Sequence, residues 1–246
     1  MLKFNRTYTD SHLVSFIDYT SLNDTRDDDI EQMVKHVNST HLKPASICTW
    51  AEHLSKLTPL KNVKKTIVLN FPNGDNSYEL LEKEIKECLK HNADEIDYVI
   101  DWKSWVAHKN HLTMSHFEHF IKLTNGLFTT KVILESGEIK NKNILKSLCL
   151  DLLSDGCIDY LKTSTGKTTT GATIDDVEII LDSIQETQSN CGIKISGGIK
   201  TKEIATDFIN VITNRMTEKW VDEKFRIGTS GLYTKLIGIN NSKSKY

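Results

Sequence analysis

The 246-residue sequence predicts an α/β protein, a single (β/α)8 TIM barrel occupying residues 1–246. Two observations carry that expectation. Short apolar runs alternate with longer amphipathic or charged segments along the whole chain, the pattern of repeated parallel βαβ units. The length also matches the roughly 250 residues that eight such units need to close. A doubly wound open sheet shows the same alternation and is the competing architecture.

The strands are expected at 15–20 (SFIDYT), 45–50 (ASICTW), 64–71 (KKTIVLNF), 95–101 (EIDYVID), 130–136 (TKVILES), 157–163 (CIDYLKT), 192–196 (GIKIS) and 224–230 (KFRIGTS). Most are rich in β-branched or aromatic residues. Helical patterns follow over 27–38, 51–57, 77–92, 103–125, 140–155, 173–189, 201–217 and 230–238. The third shows the period well, since Leu80, Leu81, Ile85, Cys88 and Leu89 recur at helical spacing. Asn23 and Asp24 are candidate caps for the first helix. The acidic run Asp27–Asp29 reads as its first turn, where negative charge meets the positive end of the helix dipole. Thr201–Glu203 opens the seventh helix with cap-forming chemistry. No linker interrupts the alternation, and the polar tail 239–246 is expected to be mobile.

Composition narrows the function classes. Basic and acidic residues nearly cancel, 31 against 33, which argues against a nucleic-acid binder held by phosphate neutralisation. No apolar stretch approaches the roughly 18 residues of a membrane span, and the polar start MLKFNRTYTDSH is unlike a signal peptide. Five cysteines, odd in number and without a CxxC pair, argue against a disulfide framework or a structural zinc site. The expected compartment is the reducing cytoplasm.

The segment CIDYLKTSTGK (157–167) is the most informative for chemistry. Strand alternation puts Ile158, Tyr160 and Lys162 on one face, with Lys162 at the carboxyl end where barrel enzymes hold their catalytic groups. A lysine pointing into a packed barrel is costly to bury charged, so its amine becomes a nucleophile. Read alone, a strand-end lysine is more often a surface residue snorkelling to solvent. Lys194 in GIKISGG changes those odds: a second cation at the next strand end favours the neutral form of one of the pair. Asp97 in EIDYVID shares a face with Glu95 and Val99, and could either shuttle protons or form a structural ion pair. Asp18, Cys48, Asn70 and Glu135 also fall at or near strand ends, Cys48 reading best as a small core residue.

Two glycine clusters suggest an anion site. Gly197-Gly198-Ile199-Lys200 follows strand seven, and Gly228-Thr229-Ser230-Gly231 follows strand eight and leads into a helix. Loops at those two places form the common phosphate site of barrels, and Lys200 adds charge. Two decoys fail. TGKTTT resembles the end of a Walker A motif, but the first glycine would fall on Leu161. His108, His111, His116 and His119 have no HExxH or cysteine partner, so no metal is expected.

These residues resemble deoxyribose-phosphate aldolase, a class I aldolase family, nearly end to end. The resemblance runs through FIDYTSLND (16–24), ASIC (45–48), NFPNGD (70–75), ADEIDYVI (93–100), VILESGEI (132–139), DYLKTSTGK (159–167), KISGGIKT (194–201) and FRIGTS (225–230), and looks closest to the enterobacterial branch. It implies that Lys162 forms the Schiff base, that Lys194 perturbs it, and that Asp97 relays protons. It puts Asp18 and Thr20 near the acceptor's hydroxyls and Cys48 close to the site. It also puts Gly166, Lys167, Gly197, Gly198, Gly228 and Ser230 around the substrate phosphate. Tyr246 resembles a terminal tyrosine that some members fold over the site to assist proton transfer. Lys200 stands where arginine is common, keeping the charge but not the bidentate fork. Gly231 stands where many members have a second serine, and IDW at 100–102 also departs from the usual pattern.

The expected activity is reversible cleavage of 2-deoxy-D-ribose 5-phosphate to acetaldehyde and D-glyceraldehyde 3-phosphate, in deoxyribose catabolism, with no cofactor. Partners are expected to be small phosphosugar and aldehyde substrates, with no nucleic acid or membrane, and a homodimer by resemblance. The rival readings are another Schiff-base or phosphosugar barrel, transaldolase-like or an epimerase, and a phosphosugar-binding protein without catalysis.

Overall fold

Eight strands pair in parallel in chain order and the last returns to the first. They are β1 (Ile17–Thr20), β2 (Ser46–Trp50), β3 (Lys64–Leu69), β4 (Glu95–Val99), β5 (Thr129–Ile133), β6 (Tyr160–Lys162), β7 (Gly192–Ser196) and β8 (Phe225–Thr229). The computed structural model describes residues 8–239, so Tyr246 and the tail from 240 onward lie outside the described residues. The ladder from Ile17↔Ile227 to Tyr19↔Thr229 rules out the open sheet, because it closes the barrel.

Around the barrel run α1 (Asp10–Ser15), α2 (Ile30–Ser39), a 3-10 helix (Ala51–Leu57), α3 (Tyr78–Lys90), α4 (Trp102–Val106) and α5 (Asn110–Thr124). They continue with α6 (Lys142–Leu153), α7 (Ile174–Glu186), α8 (Lys202–Thr213), α9 (Glu218–Lys224) and α10 (Gly231–Leu236). Outward-facing strand residues such as Ile47, Ile67, Ile96, Leu161, Ile193 and Ile227 meet the apolar helix stripes and form the main core. Burying one such side chain contributes about 1.5–3 kcal/mol. On α3 the buried stripe is Leu81, Ile85 and Cys88, while Leu80 and Leu89 are exposed. At about 100° per residue those two fall on opposite flanks of the stripe.

Several local expectations are corrected. The N-cap of α2 is Asp29, which accepts from the Gln32 N–H at 2.9 Å. Asn23 donates its own N–H to Asp28, and Asp24 pairs with Lys167. The acidic run therefore precedes the helix: Asp28 is buried and is spent on the loop's donors, Ser21 Oγ and Asn23 N. The stretch 103–125 splits into α4 and α5, with His108 in a left-handed turn (φ 59°) between them. α9 is a helix the periodicity did not single out, opened by Thr217 accepting from Trp220 N at 3.2 Å. Thr201 does cap α8, accepting from Ile204 N at 3.3 Å.

The lumen differs in kind from the outer core. A barrel interior of this fold is usually stacked with bulky apolar side chains. Here its amino-terminal and middle layers hold Asp18, Thr66, Glu95, Asp97, Lys131 and Lys194, all fully buried. Inner apolar residues form a second small cluster on the β2–β5 side, with Trp50, Phe71, Val99 and Ile133 around Cys48. Burying so many charges costs stability unless each is paired.

Candidate active site

Strand register brings the ionisable residues together. Asp97 faces Lys131 across β4 and β5, Lys162 faces Lys194 across β6 and β7, and Lys194 faces Arg226 across β7 and β8. Asp97 is the hub. Its Oδ2 accepts from Lys162 Nζ at 2.8 Å and from Lys194 Nζ at 2.6 Å, while Oδ1 accepts from Lys131 Nζ at 3.0 Å. Lys194 Nζ also lies 2.5 Å from Asp18 Oδ2, and Arg226 holds the other oxygen of Asp18 at 2.9 Å. Lys131 continues to Glu95 at 2.5 Å.

The two lysines of the central pair are not equivalent. Burial drives the Lys162 amine below the ordinary lysine range, and the cation of Lys194 adds to that push; the shared Asp97 opposes it only in part. Lys194 feels the same burial penalty, but Asp18 and then Asp97 more than reverse it and hold it cationic. Lys131 is raised likewise, burial being outweighed by Asp97 and Glu95. Burial would raise Asp97 and Asp18, yet their cation neighbours win: Lys131 and Lys162 for Asp97, Lys194 and Lys131 for Asp18. Both carboxyls therefore lie well below the usual range. In the hydrogen-bonded network three carboxylates (Asp18, Glu95, Asp97) meet four basic side chains (Lys131, Lys162, Lys194, Arg226), and Lys162 is the one that burial and its neighbours push downward. Lys64, half exposed, touches Glu95 only from the rim. Cys48 donates weakly to Asp97 at 3.9 Å; burial and then Asp97 push its thiol up to about 11.

Above this network a cavity of about 260 Å³ opens among the carboxyl ends of β1 and β6–β8. Of the central lysines and aspartates only Lys162 lines it; Lys194, Asp97, Asp18 and Cys48 are fully buried away from its wall. Thr20, Gly166, Gly197, Gly198, Lys200, Gly228 and Ser230 all reach its wall. Gly197 sits at φ 83°, and a Cβ there would lie 2.6 Å from Ser164 Oγ, so neither the conformation nor the space admits a side chain. Gly228 is needed for a different reason: a Cβ would stand 2.9 Å from Ser196 Cβ and 3.2 Å from Lys194 Cε. Its bareness lets the Lys194 stem cross β8. Lys167 points elsewhere, donating to the Leu22 carbonyl and to Asp24. Tyr246 lies outside the described residues.

Sequence reasoning missed Lys131 and Arg226. Both carried a signal. Lys131 alternates with Ile133 and Glu135, and Arg226 with Gly228, so the inward phase of Gly228 already aims Arg226 into the lumen. The histidine-rich α5 packs rather than converges: His116 bonds Tyr98 Oη at 2.6 Å, and His119 lies 3.3 Å from Glu82. Among the described residues no three His, Cys, Asp or Glu side chains gather as a metal site.

The family model described as DeoC/LacD family aldolase matches residues 12–232. The chain is 28% identical over 232 residues to the deoxyribose-phosphate aldolase of Agrobacterium fabrum (strain C58), covering 92% of this chain and 89% of that protein. The solved structure of QR15, an aldolase, superposes with a TM-score of 0.74 at 27% identity, covering 92% of this chain and 93% of that one. The tetrameric deoxyribose phosphate aldolase of Aeropyrum pernix shares the fold, with a TM-score of 0.69 at 22% identity over 95% of this chain and 92% of that one.

Proposed function

The chain belongs to the DeoC/LacD family of aldolases, and from that membership we propose that it cleaves 2-deoxy-D-ribose 5-phosphate reversibly to acetaldehyde and D-glyceraldehyde 3-phosphate. The observation that carries the reading is the asymmetric pair over Asp97: Lys162, depressed and at the cavity wall, beside Lys194, cationic and beneath it.

The neutral Lys162 amine attacks the C1 aldehyde, and loss of water from the carbinolamine leaves an iminium. The C3 hydroxyl gives up its proton, the C2–C3 electron pair flows into the iminium, and an enamine remains as glyceraldehyde 3-phosphate departs. Protonation at C2 and hydrolysis then release acetaldehyde and restore the amine. Lys194 is the standing acid, and Asp97, which does not line the cavity, passes protons between it and the substrate through a water. Asp18 acts on Lys194 rather than on the sugar, since Lys194 and Arg226 occupy its carboxylate. Thr20 faces the sugar hydroxyls from β1, and Cys48 packs below the reacting carbon. Gly166, Gly197, Gly198, Lys200 and Ser230 form the phosphate end, which supplies remote binding energy for positioning. Tyr246 is a further proton-transfer candidate outside the described residues.

We also propose a single domain, a homodimeric assembly and a cytoplasmic location. The relative from Aeropyrum pernix is tetrameric. Exposed Tyr78 and Leu112, on α3 and α5, offer apolar surface for such contact, and all five cysteines are free thiols. No helix among the described residues is long and apolar enough to cross a membrane.

The test is borohydride reduction in the presence of acetaldehyde, followed by peptide mass spectrometry. An ethyl adduct on Lys162 is expected; modification elsewhere, or none, overturns the mechanism. Activity should survive EDTA, whereas a loss that zinc restores would revive a metal role for the histidines.

A further inference from the structure

Glu135 is a buried carboxylate that the mechanism above does not use, at a place in the backbone where glutamate is uncommon. It lies two residues past the end of β5 and adopts a left-handed conformation (φ 52°), a region that non-glycine residues seldom occupy. Its neighbours hold it there. Leu134 N donates to the Lys162 carbonyl at 2.9 Å and Ser136 N to the Thr163 carbonyl at 2.8 Å, so the chain on both sides of Glu135 is tied to the end of β6. The turn at Glu135 aims its side chain along the loop that leaves Lys162.

That loop uses the whole carboxylate. Oε1 accepts from Thr165 N at 3.2 Å and from Thr168 Oγ1 at 3.0 Å, and Oε2 accepts from Thr165 Oγ1 at 2.5 Å. Thr165 Oγ1 in turn accepts from Lys167 N at 3.0 Å, so one carboxylate organises backbone and hydroxyls from 165 to 168. Thr165, Gly166 and Thr168 line the cavity, whereas Glu135 does not and is fully buried. Its carboxyl group thus sits behind the loop, engaged by loop donors, while the loop's other face turns to the cavity beside Gly197, Gly198 and Lys200.

We propose that Glu135 is a positioning residue for substrate selection, holding the 165–168 loop in the shape that receives the phosphate of the sugar. The inference rests on the phosphosugar reading of the cavity. It assigns Glu135 no contact with substrate and no proton transfer. What it sets is the advantage of a phosphorylated sugar over the same sugar without phosphate.

The measurement is the ratio of kcat/KM for 2-deoxyribose 5-phosphate to that for 2-deoxyribose, in the full chain and in Glu135→Ala and Glu135→Gln. The alanine variant is expected to lower the ratio by about tenfold or more, a difference of roughly 1.4 kcal/mol, through KM for the phosphorylated sugar. Glutamine keeps an acceptor for the Thr165 N–H, so it should lower the ratio less; it also decides the matter if the alanine variant does not fold. Thr165→Val should lower the ratio too, and combining it with Glu135→Ala should cost less than the sum of the two, because they share the Thr165 Oγ1–Glu135 contact. Equal losses on both sugars, an unchanged ratio, or full additivity would each overturn the assignment. If the unmodified chain cleaves neither sugar, the aldolase reading fails instead, and the two failures are told apart by that control.

Discussion

Lys162 and Lys194 lie side by side on β6 and β7 and donate to one oxygen, Asp97 Oδ2, at 2.8 and 2.6 Å. What separates them is a second carboxylate, Asp18, which reaches Lys194 alone. A shared anion cannot neutralise two ammonium groups, so the lysine with the extra partner holds its proton the more tightly and the other gives it up the more readily.

Lys194→Leu should abolish turnover while leaving the barrel folded. Removing a positioned acid typically costs about 10²–10⁴-fold. The loss of its positive charge also lets Lys162 protonate against Asp97. Steady-state kinetics with circular dichroism as the folding control checks this; near-normal turnover would remove Lys194 from the mechanism.

Lys131→Met should shift the pH dependence in a fixed direction. Lys131 is a cation that engages Asp97 Oδ1, and without it the whole Asp97 charge acts on the other two lysines. The Lys162 pKa is then raised toward the ordinary lysine value. Since the neutral amine is the reactive form, the acid limb of the borohydride-trapping rate should move to higher pH. A shift to lower pH, or none, would show that Lys131 is electrically silent at Lys162. The same variant leaves Glu95 and Asp97 short of a buried partner, which costs about 3–5 kcal/mol in denaturant unfolding.

Gly228→Ala separates two explanations of one glycine. If its role is to admit a phosphate, the substitution raises KM. The close approach to Ser196 and Lys194 predicts instead a fall in kcat, because the new Cβ displaces the Lys194 stem from Asp97. Overpacking of this kind costs about 1–3 kcal/mol of stability, so thermal unfolding and the split between kcat and KM are measured together.

Lys200 is exposed at the cavity rim, beside the glycines. Lys200→Ala should weaken the phosphorylated sugar several-fold, on the order of 3–10, while Lys200→Arg should tighten it by adding a planar fork. Competition by inorganic phosphate gives an independent reading, and equal inhibition constants in all three forms would place the anion elsewhere.

Much of this was legible along the chain. The strand at 192–196 agrees residue for residue, and the other strands differ by a few residues at their ends, where closing ladders rather than propensity decide. Alternation on single strands was enough to aim Lys162, Lys194 and Asp97 inward. Helix boundaries were less legible. Asp29 rather than Asn23 or Asp24 caps α2, because the loop from 21 to 28 closes on Asp28, a contact between side chain and backbone that periodicity does not encode.

By itself, then, the sequence determined the strand–helix alternation that a barrel or an open sheet shares, the strand ends that carry the lysines, and the glycine loops beside them; closure waited on the β1–β8 ladder. Those are local properties of period and residue type. Only the tertiary structure decided which lysine is pushed toward the neutral form, because that depends on partners contributed by four other strands: Asp18, Asp97, Lys131 and Arg226. It also decided that Gly228 makes room for Lys194 and that Glu135 stands behind the cavity loop. Charge in a buried network is set by distances of a few ångströms between residues far apart in the chain, and those distances exist only once the barrel has closed.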